Sequence, residues 1–276
     1  SSGSPIFLLI GFSQGLAVGA GVVVSQFLGA KDHREAQEAV HTSLAIAVIM
    51  GLLLTVGGIA CSRALLVAMN TPAEVLGDAV IYIRIYFGGV LFSVVYNMTA
   101  GILNAAGNSR RSLIYLAWAS VTNIVLDLFF VVVLDMAVFG VGLATVLSQG
   151  VSGLACLVYM VKKFPILHVS REERQLDIRS CRALCFMGVP MGLQYSITAI
   201  GSIILQSSVN ALGSLYVAAV AAGAKLFQLL ACPFDAMGAT MATYCGQNVG
   251  ACKLDRLGRG IRSCTALGLG WSLLVL

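Results

Sequence analysis

The chain has 276 residues, of which 58% are hydrophobic and only 11% charged, and its formal net charge is +5. A soluble domain carries about 25% charged residues, so this composition leaves too little polar surface to cover a water-soluble globule and points to a membrane protein. The excess positive charge does not indicate a nucleic-acid partner, because the basic residues are confined to particular loops between apolar runs.

Runs apolar enough to cross about 30 Å of hydrocarbon lie near residues 5–29, 40–60, 78–103, 112–134, 138–161, 183–211, 215–244 and 258–276. They predict an all-α, polytopic transmembrane helical bundle with eight spans. Glycine supplies 30 residues and proline 5, a balance suited to helices that pack closely through small faces. The connection after the first span holds Lys31 and Arg34, and the one after the third holds Arg110 and Arg111. After the fifth come Lys162, Lys163, Arg171, Arg174, Arg179 and Arg182, and after the seventh come Lys253, Arg256, Arg259 and Arg262. The intervening connections hold Arg63 alone, while Arg84 and Lys225 fall within spans. The positive-inside rule places the basic set in the cytoplasm, so the first span runs from outside to inside. A missed or invented helix would scramble this alternation.

The polar connection from Lys162 to Arg182 predicts a division into residues 1–162, a cytoplasmic linker at 163–182, and residues 183–276. A repeat at an offset of 221 supports it. Gln26-Phe27-Leu28-Gly29-Ala30 aligns with Gln247-Asn248-Val249-Gly250-Ala251, each pentad ending a span and opening a basic loop. Parallel repeats are the architecture of two-lobed transporters, with the substrate path between the lobes. The chain opens Ser1-Ser2-Gly3-Ser4 without Met and ends in an apolar run, which reads as a segment of a longer, twelve-span protein lacking its first and last helices.

Ionisable groups inside lipid cost at least about 2.5 kcal/mol, so each calls for a reason. Asp127 lies in mid-span, four residues after Asn123, which puts both on one helix face. A carboxylate and a carboxamide one turn apart suit a small cation or a proton-accepting site, or an interhelical hydrogen bond. Arg84 lies near a span end and is expected to snorkel. Lys225 and Asp235 are ten residues apart on one span, about 15 Å along the axis, and cannot pair directly. Pro233 is expected to bend that helix and free backbone carbonyls. Gln194, Thr198, Gln206 and Asn210 form a polar stripe that lines a path or binds neighbouring helices. His33, His41 and His168 are read as solvated, with no metal spacing. The eight cysteines are read as packing residues. No nucleophile, phosphate-loop or HExxH motif is present, so no enzyme activity is expected.

Ser25-Gln26-Phe27-Leu28-Gly29-Ala30, Tyr82-Ile83-Arg84, the run from Gly101 to Arg110, Asn123-Ile124-Val125-Leu126-Asp127, Gly188-Val189-Pro190 and Gly246 to Ala251 together resemble the multidrug and toxic compound extrusion (MATE) transporters. The resemblance covers essentially the whole chain. It implies two pseudo-symmetric six-helix lobes and export of amphipathic, often cationic compounds in exchange for Na⁺ or H⁺, with no cofactor. By the same resemblance, Asn123, Asp127 and Thr145 occupy the coupling-ion positions of the first lobe, beside an aspartate of a first helix that this segment lacks. One branch of the family carries a glutamate where this chain has Thr198, a departure that favours the DNA-damage-inducible-protein-like (DinF-like) branch. The expected partners are a small amphipathic substrate and the lipid bilayer of the plasma membrane, with the protein acting as a monomer. The competing readings are a lipid-linked oligosaccharide flippase of the same superfamily and a non-transporting membrane scaffold.

Overall fold

The computed structural model describes residues 3–68, 73–163, 178–210 and 214–275, and among these every regular element is helical. The order is α1 Gly3–Gly29, α2 His33–Ala68, α3 Ala73–Ala105, α4 Ser109–Leu128, α5 Ala137–Lys163, α6 Ile178–Asn210, α7 Ser214–Gly250 and α8 Asp255–Val275, with a π-helical turn Phe129–Val133 continuing α4. The helices outrun the apolar runs that predict them. Hydropathy marks the lipid-crossing stretch, whereas polar residues beyond it still propagate a helix, as at His33–Val40 and Ile178–Arg182.

Helices α1 to α7 each contain a stretch long and apolar enough to cross a membrane. The eighth predicted span is helical but falls short of that standard. Asp255, Arg256, Arg259 and Arg262 occupy the first turns of α8, and glycines dilute the rest. Of the predicted linker at 163–182, residues 164–177 lie outside the described residues, while Lys163 ends α5 and 178–182 begin α6.

α1 is the hub, touching α2, α3, α6 and α7. Its small residues explain why. Gly11, Gly15 and Gly19 recur every four positions on one face, and they meet Tyr195, Gly192 and Gly188 of α6 in reverse order. A β-carbon at Gly15 would come within 2.5 Å of the Gly192 nitrogen, so the two backbones are nearly in contact. This is the small-xxx-small packing that lipid favours, since van der Waals contact rather than water exclusion holds helices together there. The descending order makes α1 and α6 antiparallel, in agreement with the direction that the basic loops dictate. The apolar core sits among α1, α2 and α3, where Val24, Val40, Ile83, Phe87, Met98 and Ile102 are buried.

The C-terminal ends of α1 and α7 are built alike. At the first, Lys31 N–H donates to Leu28 O at 3.1 Å and Asp32 N–H to Phe27 O at 3.0 Å, with Lys31 at φ 59°. At the second, Cys252 N–H donates to Val249 O at 3.0 Å and Lys253 N–H to Asn248 O at 2.9 Å, with Cys252 at φ 55°. These are Schellman caps, and each places a non-glycine residue in the left-handed region at a cost of about 1 kcal/mol. The α3 end is closed in the same way around Gly107 at φ 80°, where glycine avoids that cost. The offset of 221 thus relates geometry as well as sequence. Across it, Gly29 abuts the Gln247 carbonyl, Gly250 abuts the Gln26 carbonyl, and Gly246 abuts the Ser25 hydroxyl.

Candidate functional site

Asn123 and Asp127 are half-buried on α4. Asp127 Oδ1 and Asn123 Nδ2 are both shielded from solvent and have no hydrogen-bond partner. Leaving such groups unmatched costs about 1–3 kcal/mol each, and more when one is charged. The Asp127 oxygen is therefore a shielded acceptor without a donor. A half-turn of the Asn123 amide would exchange its donor for an oxygen, which suits it to stand beside either a proton or a cation.

Thr145 lies on α5, which packs against α4. The two helices pack antiparallel, with Tyr159 OH accepting from Asn108 Nδ2 at 3.3 Å and Ser152 Oγ donating to Tyr115 O at 3.1 Å. The rings of Tyr115 and Tyr159 pack at a tilt of 59°, with centroids 5.8 Å apart. Seven residues along α4 match seven back along α5 between those two contacts, and one more such step brings residues near 145 opposite Asn123. Thr145 is half-buried there, and its hydroxyl donates to Val141 O at 3.0 Å within its own helix.

The π-helical turn begins two residues after Asp127. Leu134 N–H donates to Phe129 O at 3.2 Å, a span of five residues instead of four. Single π turns inside α-helices concentrate at functional positions, because the extra residue re-aims the side chains beside it. Two residues past its end Asp135 takes φ 52°, and aspartate is a residue type that tolerates the left-handed region. Periodicity alone does not reveal this turn, since Phe129–Val133 is an unbroken apolar run.

The polar groups of the later helices separate into two sets. Gln194 and Asp235 line one cavity of about 250 Å³ with Tyr195, Phe234 and Val18, so α6, α7 and α1 all contribute. A neighbouring cavity of about 440 Å³ shares Val18, Ala239 and Ala242 with it and runs on to Tyr244 and Gln247. Thr198 is exposed, and its hydroxyl donates to Gln194 O at 3.0 Å on its own helix. Lys225 is exposed on α7 and forms no ion pair with Asp235 among the described residues. The side chains of Gln206 and Asn210 lie outside the described residues. Pro190 and Pro233 sit inside α6 and α7 without ending them.

Two further residues depart from or add to the sequence reading. Arg84 is exposed, as a snorkelling side chain requires, and its Nε also donates to the buried Ser62 Oγ of α2 at 3.1 Å. His41, read as solvated, is half-buried with Nδ1 enclosed and unpartnered, because α2 begins earlier than its apolar run and carries His41 into the packed part of the bundle. Tyr195, which completes the Gln194–Asp235 cavity, went unmarked in the sequence, although an aromatic beside a polar stripe was an available signal. His168 lies outside the described residues.

Among the described residues, seven helices long and apolar enough to cross a membrane pack around intramembrane polar groups, which defines a multi-pass membrane protein. The MatE family model matches residues 2–129 and 190–276, and the chain belongs to that family of transporters, which are not enzymes. It is 28% identical over 254 residues to a probable multidrug resistance protein, YpnP, of Bacillus subtilis, covering 90% of this chain and 56% of that protein. It is 22% identical over 225 residues to the multidrug export protein MepA of Staphylococcus aureus, covering 81% of this chain and 50% of MepA. The chain thus spans about half the length of the curated relatives it matches. An outward-facing structure of a multidrug resistance MATE transporter superposes with a TM-score of 0.92 at 24% identity, covering 98% of this chain and 61% of that one. A transporter of the same superfamily from Pyrococcus furiosus superposes with a TM-score of 0.90 at 23% identity, covering 98% of this chain and 61% of its own. These likenesses establish the MATE fold.

Proposed function

We propose that the full protein is a secondary exporter of amphipathic, cationic compounds that exchanges them for Na⁺ or H⁺ by alternating access. In this reading residues 1–162 supply helices two to six of the first lobe, 163–182 the connection, and 183–276 helices seven to nine of the second. The exposed apolar face of α7, with Leu226, Phe227 and Leu229 each more than 60% exposed, is where lipid or the remaining helices pack. The protein works as a monomer in the cytoplasmic membrane. The names of the relatives, multidrug resistance and multidrug export proteins, support the substrate class.

The observation that carries the coupling assignment is the shielded, unpartnered Asp127 Oδ1 beside Asn123. Asp127 takes up the proton or Na⁺, Asn123 supplies a polar neighbour, and Thr145 approaches from α5. The DinF-like branch is supported at Thr198, whose neutral hydroxyl is committed to its own helix and supplies no carboxylate. The test is transport by the full-length protein in proteoliposomes, with ethidium efflux driven in turn by an imposed Na⁺ and an imposed H⁺ gradient. One of the two gradients is expected to accelerate efflux, and indifference to both would sink the exporter reading.

Asp235 and Gln194, with Tyr195 and Phe234 beside them, form the part of the substrate path that favours a cation, since a carboxylate and aromatic faces both attract one. Lys225, with Gln206 and Asn210 of the polar stripe in the sequence, is assigned to the substrate path from residue type and span position alone. Asp235→Asn is expected to raise the KM for ethidium about tenfold while leaving the ion dependence of transport intact. An unchanged KM would remove Asp235 from the path.

A further inference from the structure

At the cytoplasmic end a cavity of about 520 Å³ opens between the α1–α2 and α7–α8 turns. Its polar wall consists of His33, Tyr244, Gln247, Asn248, Lys253 and Arg256, its remaining wall is small or apolar, and no lining residue is acidic. Its size falls in the range of about 300–1,000 Å³ that small-ligand sites occupy. The walls are held by interhelical hydrogen bonds. Gln247 Nε2 donates to Ala105 O at 2.7 Å, and Tyr244 OH donates to Arg256 O at 3.1 Å.

The carboxylates around this cavity are engaged elsewhere or turned from it. Asp32 accepts the Glu35 backbone N–H at 3.2 Å as the cap of α2. Glu38 pairs with Arg34 and Asp255 with Arg259, each at 3.2 Å. Glu35 is half-buried in the first turn of α2 and is not part of the wall. Lys253 and Arg256 have no carboxylate partner among the described residues. A cytoplasmic location accounts for the sign of these two bases, but not for their standing unpaired around a hollow with no acid in it.

We propose that this cavity binds a phosphate group, as an anionic phospholipid headgroup of the cytoplasmic leaflet or as free phosphate, with Lys253 and Arg256 as its charged contacts and His33 as a third donor. The chemistry fits. Phosphate presents several acceptor oxygens, the guanidinium of Arg256 can meet two of them, and the Lys253 ammonium supplies a point charge. His33 starts α2, whereas Lys253 and Arg256 flank the start of α8. A bound phosphate therefore bridges the two turns related by the repeat and favours the arrangement in which the cytoplasmic ends of α1 and α7 are packed together. This inference does not depend on what the protein exports.

The test uses the full-length protein in detergent at constant ionic strength, with the unfolding midpoint read during titration with dioleoylphosphatidylglycerol, dioleoylphosphatidylcholine or inorganic phosphate. Phosphatidylglycerol is expected to raise the midpoint saturably, and Lys253→Gln/Arg256→Gln to raise the half-saturating concentration about tenfold. Lys162→Gln/Lys163→Gln, which removes an equal charge at the end of α5, is expected to leave it unchanged. Saturation by inorganic phosphate as well identifies a site that takes free phosphate, and saturation by phosphatidylglycerol alone identifies a lipid headgroup site. The proposal is overturned by the absence of a saturable shift with either anion, by an equal shift with phosphatidylcholine, or by equal weakening in both double variants. If the Lys253/Arg256 double variant does not fold, Lys253→Gln alone is expected to raise the half-saturating concentration about threefold, and no change there overturns the proposal equally.

Discussion

Replacing Asp127 with Asn in the full-length protein is expected to reduce gradient-driven ethidium efflux by roughly 100-fold or more, while expression and unfolding midpoint stay near those of the parent. The substitution keeps the shape of the side chain but removes the charge and the proton-accepting oxygen, and an interaction with a buried charge is worth about 1.5–3 kcal/mol or more. A loss of that size converts to between about tenfold and about 150-fold in affinity, and coupled transport fails further because the exchange step is missing. Asn123→Ala removes a neutral partner and is expected to cost about tenfold, and Thr145→Val less still. Proteoliposomes with an imposed ion gradient supply the measurement, and efflux by Asp127→Asn at the parent rate would exclude Asp127 as the coupling group. If Asp127 only bonded neighbouring helices, the same substitution would lower the unfolding midpoint and leave the ion dependence untouched.

Gly29→Ala and Gly250→Ala are each expected to destabilise the full-length protein by about 1–3 kcal/mol, the usual cost of forcing an extra carbon into a packed contact. At both positions a β-carbon would overlap the carbonyl of a residue on the other helix, Gln247 or Gln26. Backbone cannot turn aside as a flexible side chain does, so α1 and α7 would have to separate at their C-terminal ends. Gly57→Ala and Gly88→Ala serve as controls, because nothing lies within 4 Å of a β-carbon at either site. These two are expected to change stability little or to gain up to about 1 kcal/mol from alanine's better helix propensity. Unfolding midpoints of the four variants decide the matter. Equal effects at all four positions would show that the contact between the two repeats contributes nothing to stability.

The two expectations were legible in the sequence to different degrees. A carboxylate in mid-span is conspicuous because lipid penalises it wherever the rest of the protein lies, and the spacing from Asn123 to Asp127 places both on one face of any helix. That Asp127 Oδ1 is shielded and unmatched, and that a π-helical turn follows it, were not legible, since both depend on how α5 packs against α4. The pentads at 26–30 and 247–251 announced a repeat. Nothing in their composition said that the glycine of each would rest on the glutamine carbonyl of the other, or that Lys31 and Cys252 would share a backbone conformation.

What the sequence by itself determined is whatever lipid judges one segment at a time: where the chain crosses and which residues are costly there. Even so, α8 shows the limit of that judgement, because an apolar stretch diluted by arginine and glycine still forms a helix without qualifying as a span. The tertiary structure alone decided which of the costly residues lie together. Gln194 and Asp235 share a cavity across two helices, whereas Thr198 turns back to its own backbone. The unpaired bases Lys253 and Arg256 rim a hollow together with His33, which lies more than two hundred positions away in the chain. The reason is physical. Crossing the bilayer depends on the composition of a single helix, but a site depends on the register and rotation of several helices, and these are set by close contacts between glycines and backbone that no one segment encodes.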